Sequence, residues 1–304
     1  MSVEVRPFRR DDRDQVTTLV NAHVQAVMPG VSVSVNAVLS QLEREPGEFI
    51  VDPWVAERTT LVAVERERIV AAAHLRRYAS HADVGETYRD AGEIYWLVCW
   101  RDAPYWPDTG AGDLIAEACV AQLSDWRVAR YLADGSLPAA GVYGVPDSWP
   151  HIRAVYERAG FRHEGTTEIV LVADVAELRG AGPAPLDGLA IRRELGINGT
   201  RFAAVLGDAT IGYVEVASDL TSGGALARYA GWADIGNLCV DEPFRRRGIG
   251  TWLFGHAADW LRLGRVTQLL AYEDAAGDAE ERAFLERAGF RELTRTQRGW
   301  VRDG

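Results

Sequence analysis

The chain has 304 residues, 47% of them apolar, and a formal net charge of −11, which is long for one domain and comfortable for two packed cores. The acidic balance argues against nucleic acid as the main partner and suits a small cationic or amine substrate. No apolar run approaches membrane-spanning length, and the opening MSVEVRPFRRDDRD is too charged for a signal peptide. Three cysteines (Cys99, Cys119, Cys239) share no metal or redox spacing and the histidines form no HxxxH pair, so the expectations are a reduced cytoplasmic setting, no metal and no membrane partner.

In chain order, Asp11 or Asp12 caps an amphipathic helix carrying Val16, Leu19, Val20 and Val24, and a second helix is expected around 34–45. Strands near 60–66 and 69–78 flank an ERER turn. A strand at 93–100 leads to a helix at about 110–130, a strand near 140–145, a helix at 149–159 and a closing strand at 161–173. RGAGPAPLDG, 179–188, lacks periodicity and reads as a linker between domains 1–178 and 189–304. Beyond it come strands 189–194, 201–206 and 210–218, with a turn at Gly207-Asp208. Strand 233–240, helix 249–263, strand 266–272, helix 277–288 and strand 290–301 complete the pattern. Strands broken by helices of these lengths imply a mixed α/β chain in which helices cover mixed sheets.

The chain is one unit written twice. ERAGFR occurs at Glu157–Arg162 and again at Glu286–Arg291. Each copy is preceded by a GxG (Gly110-Ala111-Gly112; Gly248-Ile249-Gly250), a helical Asp-Trp (Asp125-Trp126; Asp259-Trp260) and an apolar strand (GEIYWLVCW; ADIGNLCVD). Four landmarks in one order mark a duplication. The second copy is shorter and lacks the two opening helices.

PFRRRGIGTW, residues 243–252, gathers three arginines before two glycines and a helix. Glycine lets a ligand approach the main chain, and the first-turn N–H groups of a helix have no partner within it. With the helix dipole they suit a phosphate. A dinucleotide-type GxGxxG fails at Leu253, and a P-loop GK[ST] is absent. What remains, R-x-x-G-x-G after a strand, resembles the acetyl-CoA signature of the GCN5-related N-acetyltransferase superfamily. Arg245-Arg246-Arg247-Gly248-Ile249-Gly250 fits it in full, Val240 and Pro243 match the lead-in, and Gly289-Phe290 the ending.

The resemblance covers 189–304 well and 1–175 loosely. It implies two tandem domains of this type, each a mixed, mostly antiparallel sheet flanked by helices, with acetyl-CoA as co-substrate. By resemblance, Arg245, Arg246, Arg247, Gly248, Ile249, Gly250 and Thr251 would hold the pyrophosphate. Leu238, Cys239 and Val240 would lie along the pantetheine, with a backbone N–H polarising the thioester carbonyl. In the first copy Pro107 and Asp108 stand where the arginine and the phosphate would be, so that half is expected to bind CoA weakly or not at all. Its cleft would be filled by Tyr95, Trp96, Trp100, Tyr105 and Trp106, or those rings are ordinary core.

Amine acetylation needs a deprotonated amine and often a proton for the departing thiolate. Asp234, eleven residues before Arg245, matches the family's carboxylate base, with Glu93 its counterpart in the first copy. Strand alternation places Asp234, Gly236 and Leu238 on one face, and a plain solvent-facing acid is the competing reading. Glu215 is the second candidate for base or amine anchor. The family's tyrosine acid is present as Tyr156 in the first copy but replaced by Leu285 in the second, where Tyr272 is the candidate substitute and a packed strand-end tyrosine the competing reading. The sequence therefore points to an N-acetyltransferase acting on a small primary amine, as monomer or homodimer. A non-catalytic acyl-CoA sensor is the alternative. An arginine-rich nucleic-acid contact at 245–247 ranks below both.

Overall fold

A computed structural model describes residues 3–43, 52–100, 110–197, 199–217, 231–277 and 279–303. In chain order the elements are β1 (Glu4–Pro7), α1 (Arg13–Val27), α2 (Val35–Glu43), β2 (Val55–Glu65), β3 (Arg68–Tyr78), β4 (Ala91–Cys99), α3 (Ala111–Asp125), β5 (Arg130–Ala133), β6 (Val145–Pro146), α4 (Pro150–Arg158) and β7 (Arg162–His163). They continue with β8 (Thr167–Asp174), β9 (Leu189–Gly196), β10 (Gly199–Leu206), β11 (Ala209–Ala217), β12 (Trp232–Val240), α5 (Ile249–Leu263), β13 (Gln268–Asp274), α6 (Ala279–Ala288), β14 (Arg291–Gln297) and β15 (Trp300–Arg302).

Two compact units result. Among the described residues, unit 1 comprises those up to Thr167 and those from Thr294 on, and unit 2 those from Glu168 to Leu293. These limits differ from the expected 1–178 and 189–304, because strands cross over. The sheet of unit 1 runs β1-β2-β3-β4-β5-β15-β7, so the last strand of the chain closes it. In unit 2 the order is β8-β13-β12-β11-β10-β9, with β8 taken from the first copy of the repeat. Among the described residues, β4–β5 and β12–β13 pair in parallel, and the pairings β1–β2, β2–β3, β3–β4, β9–β10, β10–β11, β11–β12 and β8–β13 are antiparallel.

In unit 1, α1 buries Val16, Leu19, Val20 and Val24 as its period requires, and both α1 and α3 pack on β3. That strand is buried along nearly its whole length. In unit 2, α5 buries Ile249, Trp252, Leu253, Phe254, Ala257, Ala258 and Leu261 against Phe202, Val214 and Val216 of the sheet. Burial of each of the larger aliphatic and phenyl side chains among these contributes about 1.5–3 kcal/mol. Among the described residues of unit 2, no α-helix precedes α5.

Three expectations fall to glycine. The strand placed at 140–145 is instead β5 at Arg130–Ala133, since Gly141 and Gly144 take φ of +78° and +67°. The loop also crosses itself, leaving a Cβ on Gly135 only 1.8 Å from the Gly144 carbonyl oxygen. The strands expected at 161–173 and 290–301 each break in two, at Gly165 and Gly299. There the two segments touch: the Gly165 amide donates to the Gly299 carbonyl at 3.1 Å, and a Cβ on Gly299 would lie 2.8 Å from Gly165 Cα. Residues 179–188, expected as a free linker, belong to unit 2. The Ala181 amide donates to Asp259 Oδ2 at 3.0 Å, and a Cβ on Gly255 would meet Ala181 at 2.8 Å.

Candidate active site

The site in unit 2 begins with a bulge. Val216 pairs with Ile235 but Glu215 with Asn237, so Gly236 is the extra residue of β12. The bulge reverses the side-chain phase. Ile235, Leu238 and Val240 pack against the core, whereas Gly236, Asn237 and Cys239 are exposed. This corrects the simple alternation: Leu238 does not share the face of Asp234.

The parallel pairing of β12 with β13 stops at Asp234↔Leu270, yet β12 runs on to Val240 and β13 to Asp274. Past that point the two strands part. Among the described residues, none pairs with residues 235–240 on the β13 side.

At the vertex, Asp234 and Tyr272 meet. Partial burial pushes the Asp234 carboxyl up to about 6, and a hydrogen bond from the Tyr272 hydroxyl opposes that rise. Glu215 is differently placed. Its side chain is wholly buried in an ion pair with Arg201, Nη2 to Oε1 at 2.6 Å and Nε to Oε1 at 2.7 Å. The Ile197 amide donates to the same oxygen at 3.3 Å, and Asn237 Nδ2 to Oε2 at 3.4 Å. Glu215, expected as a base or amine anchor, is thus engaged at both oxygens within the protein. Arg201 and Asn237 were missed in the sequence; the glycine inside strand 233–240 was the available signal for the bulge that brings Asn237 to Glu215.

The glycine turn follows β12. The Arg245 Nε donates to the Val240 carbonyl at 2.9 Å and ties the turn to the strand end. Arg246 takes a left-handed φ of +63° and reaches Glu280 at 3.5 Å; Arg247 lies 5.9 Å from the Phe244 ring. All three side chains are exposed. Gly248, with φ of +82°, is the N-cap of α5, and no side chain caps the helix. The first intrahelical bond is Trp252 N to Gly248 O at 3.0 Å, so the amides of Ile249, Gly250 and Thr251 have no partner inside the helix. The Ile249 side chain is core and Thr251 is exposed.

The two copies differ at the second glycine of GxG. A Cβ on Gly250 would meet Phe284 at 3.7 Å and Val240 at 3.9 Å, ordinary contacts. One on Gly112 would meet Val155 Cγ2 at 2.8 Å and Cys99 Sγ at 3.2 Å. Packing therefore demands glycine at 112. Nothing in the protein demands it at 250, and the cradle there is open. The uncapped amides and exposed arginines of residues 245–251 have the chemistry that suits a diphosphate, whereas residues 107–109 of the first copy lie outside the described residues.

The first copy is also closed at its vertex. Its bulge at Tyr95 matches that at Gly236, but the chain stays paired beyond β5, with Ser136 N donating to Tyr95 O at 3.0 Å. Trp96 is fully buried and Trp100 is 43% exposed. Tyr156 is also fully buried, and its hydroxyl donates to the Asp134 carbonyl at 2.7 Å. Pro107, Asp108, Tyr105 and Trp106 lie outside the described residues. Leu285 is core in unit 2. Among the described residues, no group of three His, Cys, Asp or Glu is placed to hold a metal, and no helix is long and apolar enough to cross a membrane.

Comparison with known proteins agrees with this geometry. The model of the acetyltransferase (GNAT) family matches residues 177–290. No curated protein matches the sequence. Among solved structures, a tandem GNAT protein from the clavulanic acid biosynthesis pathway shares 16% identity at a TM-score of 0.68, over 99% of this chain and 98% of that one. A GCN5-related N-acetyltransferase from Sphaerobacter thermophilus shares 14% at 0.62, over 99% and 95%. A glucosamine N-acetyltransferase region in a fungal multi-domain GH3 β-N-acetylglucosaminidase shares 15% at 0.63; this chain is covered to 98% but spans only 38% of that protein. The family model thus matches residues 177–290, and over its whole length the chain shares the two-domain fold of a tandem GNAT protein.

Proposed function

We propose that the protein is an acetyl-CoA-dependent N-acetyltransferase that acylates a small primary amine, with its chemistry in unit 2. The observation that carries this reading is the parting of β12 from β13 beside Asp234 and Tyr272, directly before an uncapped helix whose Gly250 is open. Arg246, Arg247 and the amides of Ile249, Gly250 and Thr251 would hold the diphosphate, and Arg245 keeps the turn in place. The exposed main chain of residues 236–240 would flank the thioester arm. Acetyl-CoA supplies an acyl group on a good leaving thiolate. Asp234, held near neutrality by partial burial, takes the ammonium proton of the acceptor at its carboxylate. Tyr272, through its hydrogen bond, holds that carboxylate in position and would supply a proton to the departing thiolate. The acidic surface favours a cationic acceptor.

A coupled thiol-release assay over a panel of small amines tests the proposal. Turnover on at least one amine, with thiol released one for one with acetylamine, is the expected outcome. Binding of acetyl-CoA with no turnover on any amine would replace it with the sensor reading, which the burial of Leu285 at the family's tyrosine position favours.

A further inference from the structure

β9 is the last strand of its sheet. It pairs with β10 on one side, and among the described residues no strand pairs with its other edge. Residues 197 and 198 alone link Gly196 to its partner Gly199, and the residues flanking such a two-residue turn form a hydrogen-bonded pair. Bonded pairs alternate along an antiparallel ladder, so Glu194, Arg192 and Ala190 bond to β10. The N–H and C=O groups of Ile191, Arg193 and Leu195 therefore turn outward. This edge carries neither a proline nor a bulge. Its charges would deter most strands, but not a second copy of this one.

Ile191, Arg193 and Leu195 also share one face. Ile191 packs against the core, and Arg193 Cζ lies 4.4 Å from the centre of the Trp260 ring, so this is the face that α5 covers. Leu195 continues it but is 92% exposed, and Ile197 just beyond is 88% exposed. Leu263, one turn on from Trp260, is 80% exposed. Apolar groups beside an open edge are what a pairing strand covers. On the opposite face Arg192 Nε donates to Glu194 Oε2 at 2.9 Å and Arg192 Nη2 to Thr210 Oγ1 at 3.2 Å, while Arg201 stands 3.8 Å from Glu194.

The edge is self-complementary about Arg193. Antiparallel pairing with a dyad there sets Arg192 opposite Glu194, Ile191 opposite Leu195 and Ala190 opposite Gly196. Opposite charges and apolar pairs facing each other across strands both stabilise. A dyad at Arg192 or Glu194 would bring like charges face to face. One at Ile191 or Leu195 would leave Arg192 opposite Ala190, or Glu194 opposite Gly196. Arg193 meets its own copy, with each guanidinium drawn back over its own Trp260. We infer that two copies of the chain pair through β9, antiparallel about Arg193, joining their unit 2 sheets edge to edge through about six new main-chain hydrogen bonds. The pairing stands whether or not unit 2 transfers acyl groups.

Sedimentation equilibrium of the intact chain tests this. At about 10 μM a dimer is expected, since a Kd of about 1 μM leaves most chains paired. Leu195→Pro removes an outward N–H at an edge, where proline is tolerated, and an exposed side chain. It is expected to weaken association by about 100-fold or more with far-ultraviolet dichroism unchanged. Glu194→Arg sets arginine opposite Arg192 and is expected to abolish the dimer likewise. Adding Arg192→Glu to Glu194→Arg exchanges the charges and is expected to restore it, which keeps the test decisive should Leu195→Pro not fold. A wild-type monomer at about 100 μM, a dimer that survives in either folded single variant, or a double exchange that stays monomeric overturns the inference.

Discussion

Asp234→Asn is expected to lower kcat/KM for amine acetylation by about 100- to 10,000-fold, the range for loss of a positioned proton acceptor, while making the protein more stable above pH 6. The two effects share one cause. Partial burial raises the folded-state carboxyl from 3.8 to about 6, so the folded protein binds a proton more tightly than the unfolded chain does. Stability therefore falls as pH rises from the unfolded value through about 6, and above that the charged group costs up to about 3 kcal/mol, at roughly 1.4 kcal/mol per unit. Asparagine removes the charge and can still accept from Tyr272. In the wild-type rate profile the carboxylate form is the active one, so activity rises as pH increases through about 6; the variant lacks that limb. A carboxylate with a purely structural role would give the reverse in stability and no change in the limb. Rate profiles and thermal unfolding of both proteins at pH 5 and 8 separate the two.

The second large effect lies far from this chemistry in the sequence. Trp300→Ala is expected to destabilise unit 1 by about 3–5 kcal/mol, as loss of a large buried aromatic does, although the residue stands near the end of the chain, beyond everything that lines the proposed site. Trp300 is 2% exposed, its ring centroid 6.0 Å from that of Tyr156 and 5.6 Å from that of His163. Its strand pairs with β5 on one side and β7 on the other. Denaturant unfolding followed by hydrogen exchange over β4 and β5 reads the loss directly. For the same reason, a cut between 178 and 189 removes β15 from unit 1 and β8 from unit 2. Halves made that way are expected to be unfolded, so binding must be assigned on the intact chain.

How legible this was depends on where the information sits. The helix expected at 249–263 is α5 at Ile249–Leu263, because its apolar period, its preceding glycine and Gly264 are all local. The parting of β12 from β13 was not legible, since the loss of pairing after Leu270 depends on two strands distant in sequence. The bulge at Gly236 reversed the faces of one strand, and strict alternation misassigned Leu238 as a result. Strand exchange was hidden for a related reason. The repeat marks where a unit recurs, but its closing strands look alike in both copies, and which sheet each enters is settled by the crossing at Gly165 and Gly299. Asp234 and Tyr272, 38 residues apart by their numbering, were each proposed alone; their hydrogen bond is a property of the fold.

The central claim is that one cradle, at the start of α5, holds the cofactor. Calorimetric titration of the intact protein with acetyl-CoA, beside Gly250→Leu, tests it most directly. A Cβ at this position meets nothing closer than 3.7 Å and a helix favours leucine over glycine, so the variant is expected to keep the wild-type melting temperature. The account expects one molecule bound per chain in the wild type and affinity lowered by about 100-fold or more in the variant, since a side chain would stand where the diphosphate approaches the amides. Two molecules per chain, none, or unchanged affinity in a folded Gly250→Leu protein would contradict it.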